Sequence, residues 1–348
     1  MEDSPPPGRP LGPLPLARGR RGAVVAPHHL ATTAGLGILA AGGSAVDAAI
    51  ATNAVLAVVM PNGCGIGGDA FWLIWDEAAS VQTALNGSGR APAAADASIW
   101  RAAGRRALPL RGPSTITTPG AVRSWGEAHR RHGRLTRDAI LAPAIELARD
   151  GFPAWDGYVD AVEVTAVALA ASTDLPDRGA AWASVHRAAG RPWRPGEVVR
   201  LPALARTLER LADAGFDDLY DGELADRQAA GLRAAGSPIT TTDLRAQGAT
   251  WETPIGVDYR GTRVTTHPPN SSGVTALQIL RLLERFEPPP AGAFGAAGVD
   301  ETRWVHLGLE AAKLATADRD AFVADPAATE VPTDWLISDE RIGELAAR

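Results

Sequence analysis

Residues 62–75, Asn-Gly-Cys-Gly-Ile-Gly-Gly-Asp-Ala-Phe-Trp-Leu-Ile-Trp, join a glycine-rich loop to an apolar strand. Residues 45–60, before this loop, are apolar nearly all round and predict a buried helix, so the order is helix, loop, strand. A phosphate-binding glycine loop has the opposite order, because it places its anion at the start of a following helix. The order here argues against dinucleotide binding and favours close backbone packing at the glycines.

The segments around this loop alternate between helices and strands. The predicted elements are a strand at 22–26, a helix at 28–41, a helix at 45–60, and strands at 70–75 and 81–85. Ser44 and Asp47 are spaced as a capping-box pair at the start of the second helix.

The C-terminal two thirds of the chain are mainly helical. Further predicted elements are helices at 121–129, 136–149, 274–286 and 304–323, and a strand at 259–266. Residues 154–250 are mostly helical, and Ser271 and Ser272 are the predicted N-caps of the helix that follows them. Helices that flank pairs of strands predict a layered α+β domain.

Composition excludes several classes of protein. The net charge is −6 and no basic block is present, which argues against nucleic-acid binding. Cys64 is the only cysteine, and no metal-binding spacing of His or Cys occurs, so neither a disulfide within the chain nor a metal site is expected. Residues 48–60 are too short a run to span a membrane. Residues 1–21 lack an apolar core, which predicts a flexible tail and a cytoplasmic protein.

Residues 83–92, Thr-Ala-Leu-Asn-Gly-Ser-Gly-Arg-Ala-Pro, carry the candidate binding group. Loops at strand ends display functional side chains, and the guanidinium of Arg90 can hold a carboxylate through two parallel hydrogen bonds. The alternative is that Arg90 is a solvated side chain that braces the turn before Pro92. The residues alone show no convincing nucleophile, since no Gly-x-Ser-x-Gly occurs and the seven histidines are scattered.

The order of motifs resembles the large subunit of the γ-glutamyltransferase family, which are N-terminal-nucleophile (Ntn) hydrolases. The matching segments are Gly22-Ala-Val-Val-Ala-Pro-His-His-Leu-Ala, Ile38-Leu-Ala-Ala-Gly-Gly-Ser-Ala-Val-Asp-Ala-Ala, Gly65-Ile-Gly-Gly-Asp-Ala-Phe, Thr118-Pro-Gly-Ala-Val, Pro143-Ala-Ile-Glu-Leu-Ala-Arg-Asp-Gly-Phe, Thr253-Pro-Ile-Gly-Val-Asp-Tyr-Arg-Gly, Pro268-Pro-Asn-Ser-Ser-Gly and Glu310-Ala-Ala-Lys-Leu-Ala-Thr-Ala-Asp-Arg. They occur in family order from residue 22 to the C-terminus.

The resemblance implies a four-layer αββα sandwich that a second chain completes. Residues 22–348 would be the large-subunit portion of one Ntn-hydrolase domain. The family precursor cuts itself, and the new N-terminal threonine of the small subunit is the nucleophile, with its own α-amine as base. The resemblance places the cleavage point beyond Arg348. No catalytic residue is therefore expected in this chain, no cofactor is needed, and the small subunit from the same precursor is the expected partner.

The chain departs from the family in the candidate binding loop. In γ-glutamyl enzymes this loop reads Asp-x-Arg-Glu-x-Ala-Pro, and its arginine grips the glutamyl α-carboxylate. Here the matching stretch runs from Asn86 to Pro92, Ser88 stands in the arginine's place, and Arg90 lies two residues later. Asn86, Ser88 and Arg90 are the predicted substrate-binding residues.

This departure predicts a hydrolase or acyltransferase that acts on a small carboxylated molecule other than a γ-glutamyl compound. Three alternatives stay open: a C–C bond hydrolase of an antibiotic biosynthetic pathway, a true γ-glutamyltransferase or glutathione hydrolase, and a non-catalytic binding protein of the same fold. A Thr, Ser or Cys immediately after the cleavage point would indicate an enzyme.

Overall fold

The computed structural model describes residues 18–348, except 174, 176, 178, 188, 189, 296, 297 and 300. Most of the predicted N-terminal tail, residues 1–17, therefore lies outside the described residues. The chain divides into two compact units, a larger one from Val24 to Pro254 and a smaller one built mainly from Ile255 to Arg348. That residues 22–348 belong to one Ntn-hydrolase domain stays a prediction.

The larger unit is a small antiparallel sheet with many helices. Its helices are α1 (His29–Ala40), α2 (Ala45–Val59), α3 (Ala97–Ala102), α4 (Ala121–His132), α5 (Arg137–Asp150), α6 (Asp156–Ala170), α7 (Ala180–His186), α8 (Pro202–Ala214), α9 (Asp218–Asp221), α10 (Glu223–Ala234) and α11 (Thr241–Ala246). Its strands are β1 (Ala70–Asp76), β2 (Val81–Gly87), β3 (Phe152–Pro153), β4 (Val198–Val199) and β5 (Thr250–Glu252). Strands β1, β2 and β5 form one antiparallel sheet in that order, and β3 pairs with β4.

The two faces of β1 have different environments. Trp72 and Ile74 pack against the hydrophobic core, and the Trp72 indole donates a 2.9 Å hydrogen bond to the Ser124 hydroxyl on α4. Phe71, Leu73 and Trp75 point the other way, and Trp75 is 57% exposed. This alternation is the period of a strand. The described residues therefore bury one side of β1 and leave the apolar side chains of its other side partly exposed.

The core is built around α2. Ile50, Val55 and Val58 are fully buried in it, as the apolar sequence predicts. The capping box at its start is confirmed: Asp47 N–H donates to the Ser44 hydroxyl at 3.0 Å, and Ser44 N–H donates to the Asp47 carboxylate at 2.8 Å.

The smaller unit holds a hairpin and the C-terminal helices. It contains β6 (Ile255–Tyr259), β7 (Thr262–Thr266), α12 (Gly273–Leu283), β8 (Phe294–Gly295), β9 (Gly298–Val299), α13 (Thr302–Phe322), α14 (Thr333–Leu336) and α15 (Asp339–Ala346). Asp318 on α13 is buried and accepts hydrogen bonds from the Arg341 guanidinium and from the amide of Gln278. This network ties α12, α13 and α15 together.

Two local predictions are wrong, and a third is confirmed in position only. The strand predicted at 259–266 is a hairpin, because Arg260 and Gly261 have φ of 49° and 77° and reverse the chain. Residues 22–26 form no strand, since no described segment pairs with them. Ser272 does occupy the predicted N-cap position of α12, but its side chain makes no capping bond, and the neighbouring Ser271 hydroxyl accepts the Gly273 N–H at 3.2 Å instead.

Candidate substrate-binding loop

The candidate loop begins at the end of β2. Asn86 and Ser88 lie together there, because the Asn86 side-chain oxygen accepts both the Ser88 N–H at 3.0 Å and the Ser88 hydroxyl at 2.7 Å. An Asn side chain that closes on the backbone two residues later makes an Asx turn. Both residues therefore shape the loop in addition to any role in binding.

Gly89 is where the candidate loop meets the glycine-rich loop. Its N–H donates a 2.7 Å hydrogen bond to Oδ1 of Asp69. A Cβ at Gly89 would lie 1.8 Å from the Thr118 carbonyl oxygen, so only glycine fits. Gly68 joins the same junction, because its carbonyl accepts the N–H groups of Gly120 and Ala121 at 3.0 and 2.8 Å. The close backbone packing at this crossing is at Gly89. The prediction that the glycines of the glycine-rich loop allow such packing is not met at Gly67 or Gly68, because a Cβ at Gly67 would have no described atom within 4 Å and one at Gly68 would lie 3.4 Å from the Gly65 carbonyl oxygen.

A buried glutamine holds the other side of the loop. Gln247 follows α11 and is 3% exposed. Its side-chain nitrogen donates to the Ser88 carbonyl at 2.9 Å, and its side-chain oxygen accepts the Arg90 N–H at 3.1 Å. Asp243, on α11, accepts the Ala93 N–H at 2.8 Å. Asp243 belongs to a capping box with Thr240 at the start of α11, whereas no local motif in the sequence marks Gln247.

Arg90 itself is fixed only through its backbone. Besides the bond to Gln247, its carbonyl accepts the Thr118 N–H at 2.9 Å. Its side chain is exposed and has no hydrogen bond or ion pair with any residue that the structure describes. A rigid loop thus presents an unengaged guanidinium, which is the arrangement that binds a carboxylate with little loss of side-chain partners.

A second arginine near the loop is already engaged. Arg123 Nε donates to the Gln247 carbonyl at 2.9 Å, its guanidinium pairs with Asp217, and it stacks on the Tyr220 ring at 4.0 Å. The Tyr220 hydroxyl accepts the Arg123 N–H at 2.7 Å, and burial raises the pKa of Tyr220 above its ordinary value. The Arg123 guanidinium therefore holds Gln247, which in turn contacts the loop, whereas the Arg90 guanidinium is available to a ligand.

The glycine-rich loop also borders a cavity of about 530 Å³. Its lining includes Cys64, Ile66, Leu201 and Leu204, but none of the three predicted site residues. Burial raises the pKa of the Cys64 thiol, which keeps it protonated and a poor nucleophile.

Within the described ranges, no group of three His, Cys, Asp or Glu side chains is placed to hold a metal ion. No helix there has the length and apolar character to cross a membrane.

Comparison with known proteins identifies the relatives of this chain. Residues 31–348 match the family described as gamma-glutamyltranspeptidase. The chain is 36% identical over 329 residues to the "Glutathione hydrolase-like YwrD proenzyme" of Bacillus subtilis (strain 168), covering 94% of this chain and 60% of the relative. It is 38% identical over 331 residues to the "Oxamate amidohydrolase proenzyme" of Klebsiella pneumoniae, covering 93% and 59%. The chain thus spans about 60% of the length of these relatives.

Solved structures agree with these matches. A gamma-glutamyltranspeptidase from Pseudomonas nitroreducens superposes with a TM-score of 0.80 at 32% identity, covering 95% of both chains. A cephalosporin acylase from Bacillus halodurans superposes with a TM-score of 0.83 at 37% identity, covering 92% of this chain and 58% of the acylase. The predicted fold class is confirmed: the chain has the mixed α and β Ntn-hydrolase architecture, and it belongs to the γ-glutamyltranspeptidase family.

Proposed function

We propose that this chain is the large-subunit portion of a γ-glutamyltransferase-like hydrolase that acts on a small carboxylated substrate other than a γ-glutamyl compound. The exposed, unpaired Arg90 guanidinium on a loop held by its backbone carries this proposal. In this proposal Arg90 grips the carboxylate of the substrate, and Asn86 and Ser88 line the loop beside it. The reaction is attack by a threonine at the N-terminus of the small chain, formation of an acyl-enzyme, and release by water or an amine.

Two observations support a second chain from the same precursor. Both relatives named above are described as proenzymes. The open apolar face of β1, with Phe71, Leu73 and Trp75, is the kind of surface that a second sheet covers in a sandwich. The small chain would bring the nucleophile and the oxyanion groups, so the only function assigned to this chain is to bind and orient the substrate.

The loop supports the substrate class. A hydroxyl at position 88 cannot supply the charged, two-pronged contact that an arginine at that position would make. Arg90 supplies a guanidinium from a backbone position two residues later in the loop. This favours a substrate whose carboxylate lies at a different place from the glutamyl α-carboxylate. An oxamate amidohydrolase among the relatives makes a short oxo-acid amide the first substrate to test.

The alternatives are distinguishable. Acylases among the relatives and structures favour amide cleavage of a larger acyl group as the second candidate. True γ-glutamyl transfer, C–C bond hydrolysis and a non-catalytic binding protein stay open. We propose a cytoplasmic location, and small molecules rather than nucleic acid or membrane as ligands; the net charge of −6 without a basic block supports the exclusion of nucleic acid. Fractionation with N-terminal sequencing checks the location, and an exported, shortened form would contradict it.

The test is a substrate panel on the complete precursor, expressed with its downstream segment. The panel contains oxamate, oxalyl amides, small oxo-acids, glutaryl amides and γ-glutamyl-p-nitroanilide. We expect a short carboxylated substrate to be preferred, and Arg90→Ala to raise its KM about tenfold to a hundredfold, the effect of losing a charged hydrogen bond. Arg233→Ala is the matched control, because the side chain of Arg233 on α10 is also exposed and has no hydrogen bond or ion pair with a described residue. Efficient γ-glutamyl transfer, or full activity of Arg90→Ala, would refute the proposal.

A further inference from the structure

The side-chain amide of Gln247 contacts the candidate loop on both sides of Gly89. Its nitrogen donates to the Ser88 carbonyl at 2.9 Å and to the Gly248 carbonyl at 2.7 Å. Its oxygen accepts the Arg90 N–H at 3.1 Å. Both donors and the acceptor of the amide are in use, so one buried group satisfies three backbone groups.

The chemistry of this contact requires an amide. A carboxylate has no N–H for the two carbonyls, and a hydroxyl has only one donor. Asparagine has the same groups on a shorter stem, and an apolar side chain would leave buried backbone groups without partners, which costs about 1–3 kcal/mol for each.

Gln247 is itself held firmly. Its N–H donates to the Leu244 carbonyl at 3.1 Å at the end of α11, and its carbonyl accepts Arg123 Nε at 2.9 Å from α4. Through its side-chain amide, Gln247 therefore fixes the position of the candidate loop relative to α11 and α4. A side chain fixed in this way can hold a neighbouring binding group within the narrow range of positions and angles that recognition needs.

We propose that Gln247 is a positioning residue that fixes the direction in which Arg90 leaves the loop, and so makes the site selective for substrates with a carboxylate. Gln247 contacts the backbone at Ser88 and Arg90 and does not itself touch the substrate. This inference rests on the proposed function, since it takes Arg90 to be the carboxylate-binding group.

The experiment uses the complete two-chain enzyme with Gln247→Met and Gln247→Glu. Methionine keeps the volume and removes all three hydrogen bonds, whereas glutamate keeps the shape and the acceptor for Arg90. Gln278→Met is the matched control: Gln278 is also a buried glutamine, and its amide donates at 2.8 Å to the Asp318 carboxylate and to the Leu336 carbonyl. The control reports the cost of losing a buried amide that does not hold the candidate loop.

Two readouts are measured. The first is hydrogen exchange of the peptide covering residues 86–93, which we expect to be at least about tenfold faster in Gln247→Met and unchanged in Gln278→Met. The second is the affinity for oxamate and for its uncharged counterpart ethyl oxamate, as substrates or as competitive inhibitors of the best panel substrate. We expect Gln247→Met to weaken oxamate about tenfold or more and ethyl oxamate less than about twofold, through KM or Ki rather than kcat.

The Arg90 variants separate this inference from the proposed function. If Gln247 acts through Arg90, the double variant with Arg90→Ala loses no more oxamate affinity than Arg90→Ala alone. If Arg90→Ala weakens oxamate selectively and both Gln247 variants bind it normally, the positioning role is wrong and the proposed function stands. Equal losses for oxamate and ethyl oxamate, or unchanged exchange at 86–93, would also overturn the positioning role. If Arg90→Ala has no selective effect, the proposed function itself fails.

Discussion

The backbone N–H of Gly89 donates a 2.7 Å hydrogen bond to the carboxylate of Asp69, which lies twenty residues earlier in the chain. The bond joins the glycine-rich loop before β1 to the loop after β2, so the two ends of the hairpin strands are held together. Desolvation raises the pKa of Asp69, and the hydrogen bond from Gly89 offsets part of that rise.

We expect Asp69→Asn to preserve this junction and Asp69→Ala to loosen it. The amide oxygen of asparagine can still accept the Gly89 N–H, whereas alanine cannot, at a cost of about 1 kcal/mol. Because the folded-state pKa of Asp69 is raised, its contribution to stability is present below the unfolded pKa and is lost as the pH rises through the folded pKa. Asp69→Asn removes that part of the pH dependence. Urea unfolding between about pH 3 and 7 measures both effects, and a steeper pH dependence in Asp69→Asn would show the assignment to be wrong.

We expect Gly89→Ala to disrupt the loop and Gly67→Ala to be tolerated. The new methyl group at position 89 would meet the Thr118 carbonyl at 1.8 Å, so the backbone must move, with a loss of about 1–3 kcal/mol. Position 67 has no described atom within 4 Å of the added Cβ and provides the control in the neighbouring loop. Thermal unfolding and the KM for oxamate are the measurements. A Gly89→Ala protein with normal stability and normal KM would contradict the packing argument.

We expect Arg341→Ala to destabilise the smaller unit strongly. Asp318 is 3% exposed, and removing its partner leaves a buried carboxylate, which typically costs about 3–5 kcal/mol. Burial alone would raise the pKa of Asp318, but the hydrogen bonds from Arg341 and Gln278 outweigh burial and lower it. The stability from this pair is therefore present above the ordinary Asp pKa and is lost as the pH falls through the lowered value. Hydrogen exchange of α13 and α15 as a function of pH reports this loss.

The control for this pair is the double replacement Asp318→Leu with Arg341→Met, which removes both charges and keeps most of the volume. Replacing both members of a buried pair by apolar groups is often neutral. Its stability should lie well above that of Arg341→Ala, and a double variant as unstable as the single one would argue against a buried-charge penalty.

We expect residues 1–348 expressed alone to be inactive and to associate. Phe71, Leu73 and Trp75 expose a continuous apolar face of β1, and such faces promote association when nothing covers them. Co-expression with the downstream segment should give a well-behaved, active complex, and size-exclusion chromatography compares the two samples. An active, monodisperse product from residues 1–348 alone would contradict the need for a second chain.

The sequence predicts the elements whose signal is local. The apolar run of α2, the Ser44–Asp47 capping box and the apolar strand at 70–75 each lie within a few residues, and the structure confirms them. The hairpin β6–β7 was missed because the Arg260-Gly261 turn depends on a left-handed arginine, which sequence does not signal. The predicted strand at 22–26 has no partner among the described residues, and pairing is a property of two segments rather than one.

In the candidate site too, the sequence predicts the residue with a local signal and not the residues whose roles depend on distant contacts. Arg90 was found because a charged residue stands out in a glycine-rich loop after a strand. Gln247 was not found, because it lies 157 residues away from Arg90 and nothing in its own surroundings marks it. Asp69 lies in the glycine-rich segment, but its role depends on a contact that only the folded hairpin makes.

The way the loop is anchored makes position 90 exchangeable. The described contacts of Arg90 use only its backbone N–H and carbonyl, which every amino acid except proline also has. The side chain at this position can therefore be replaced without removing any of the hydrogen bonds that shape the loop. Lysine, glutamine or an aromatic residue at position 90 would each keep the same two backbone hydrogen bonds, so the shape of the loop does not depend on which side chain it carries there.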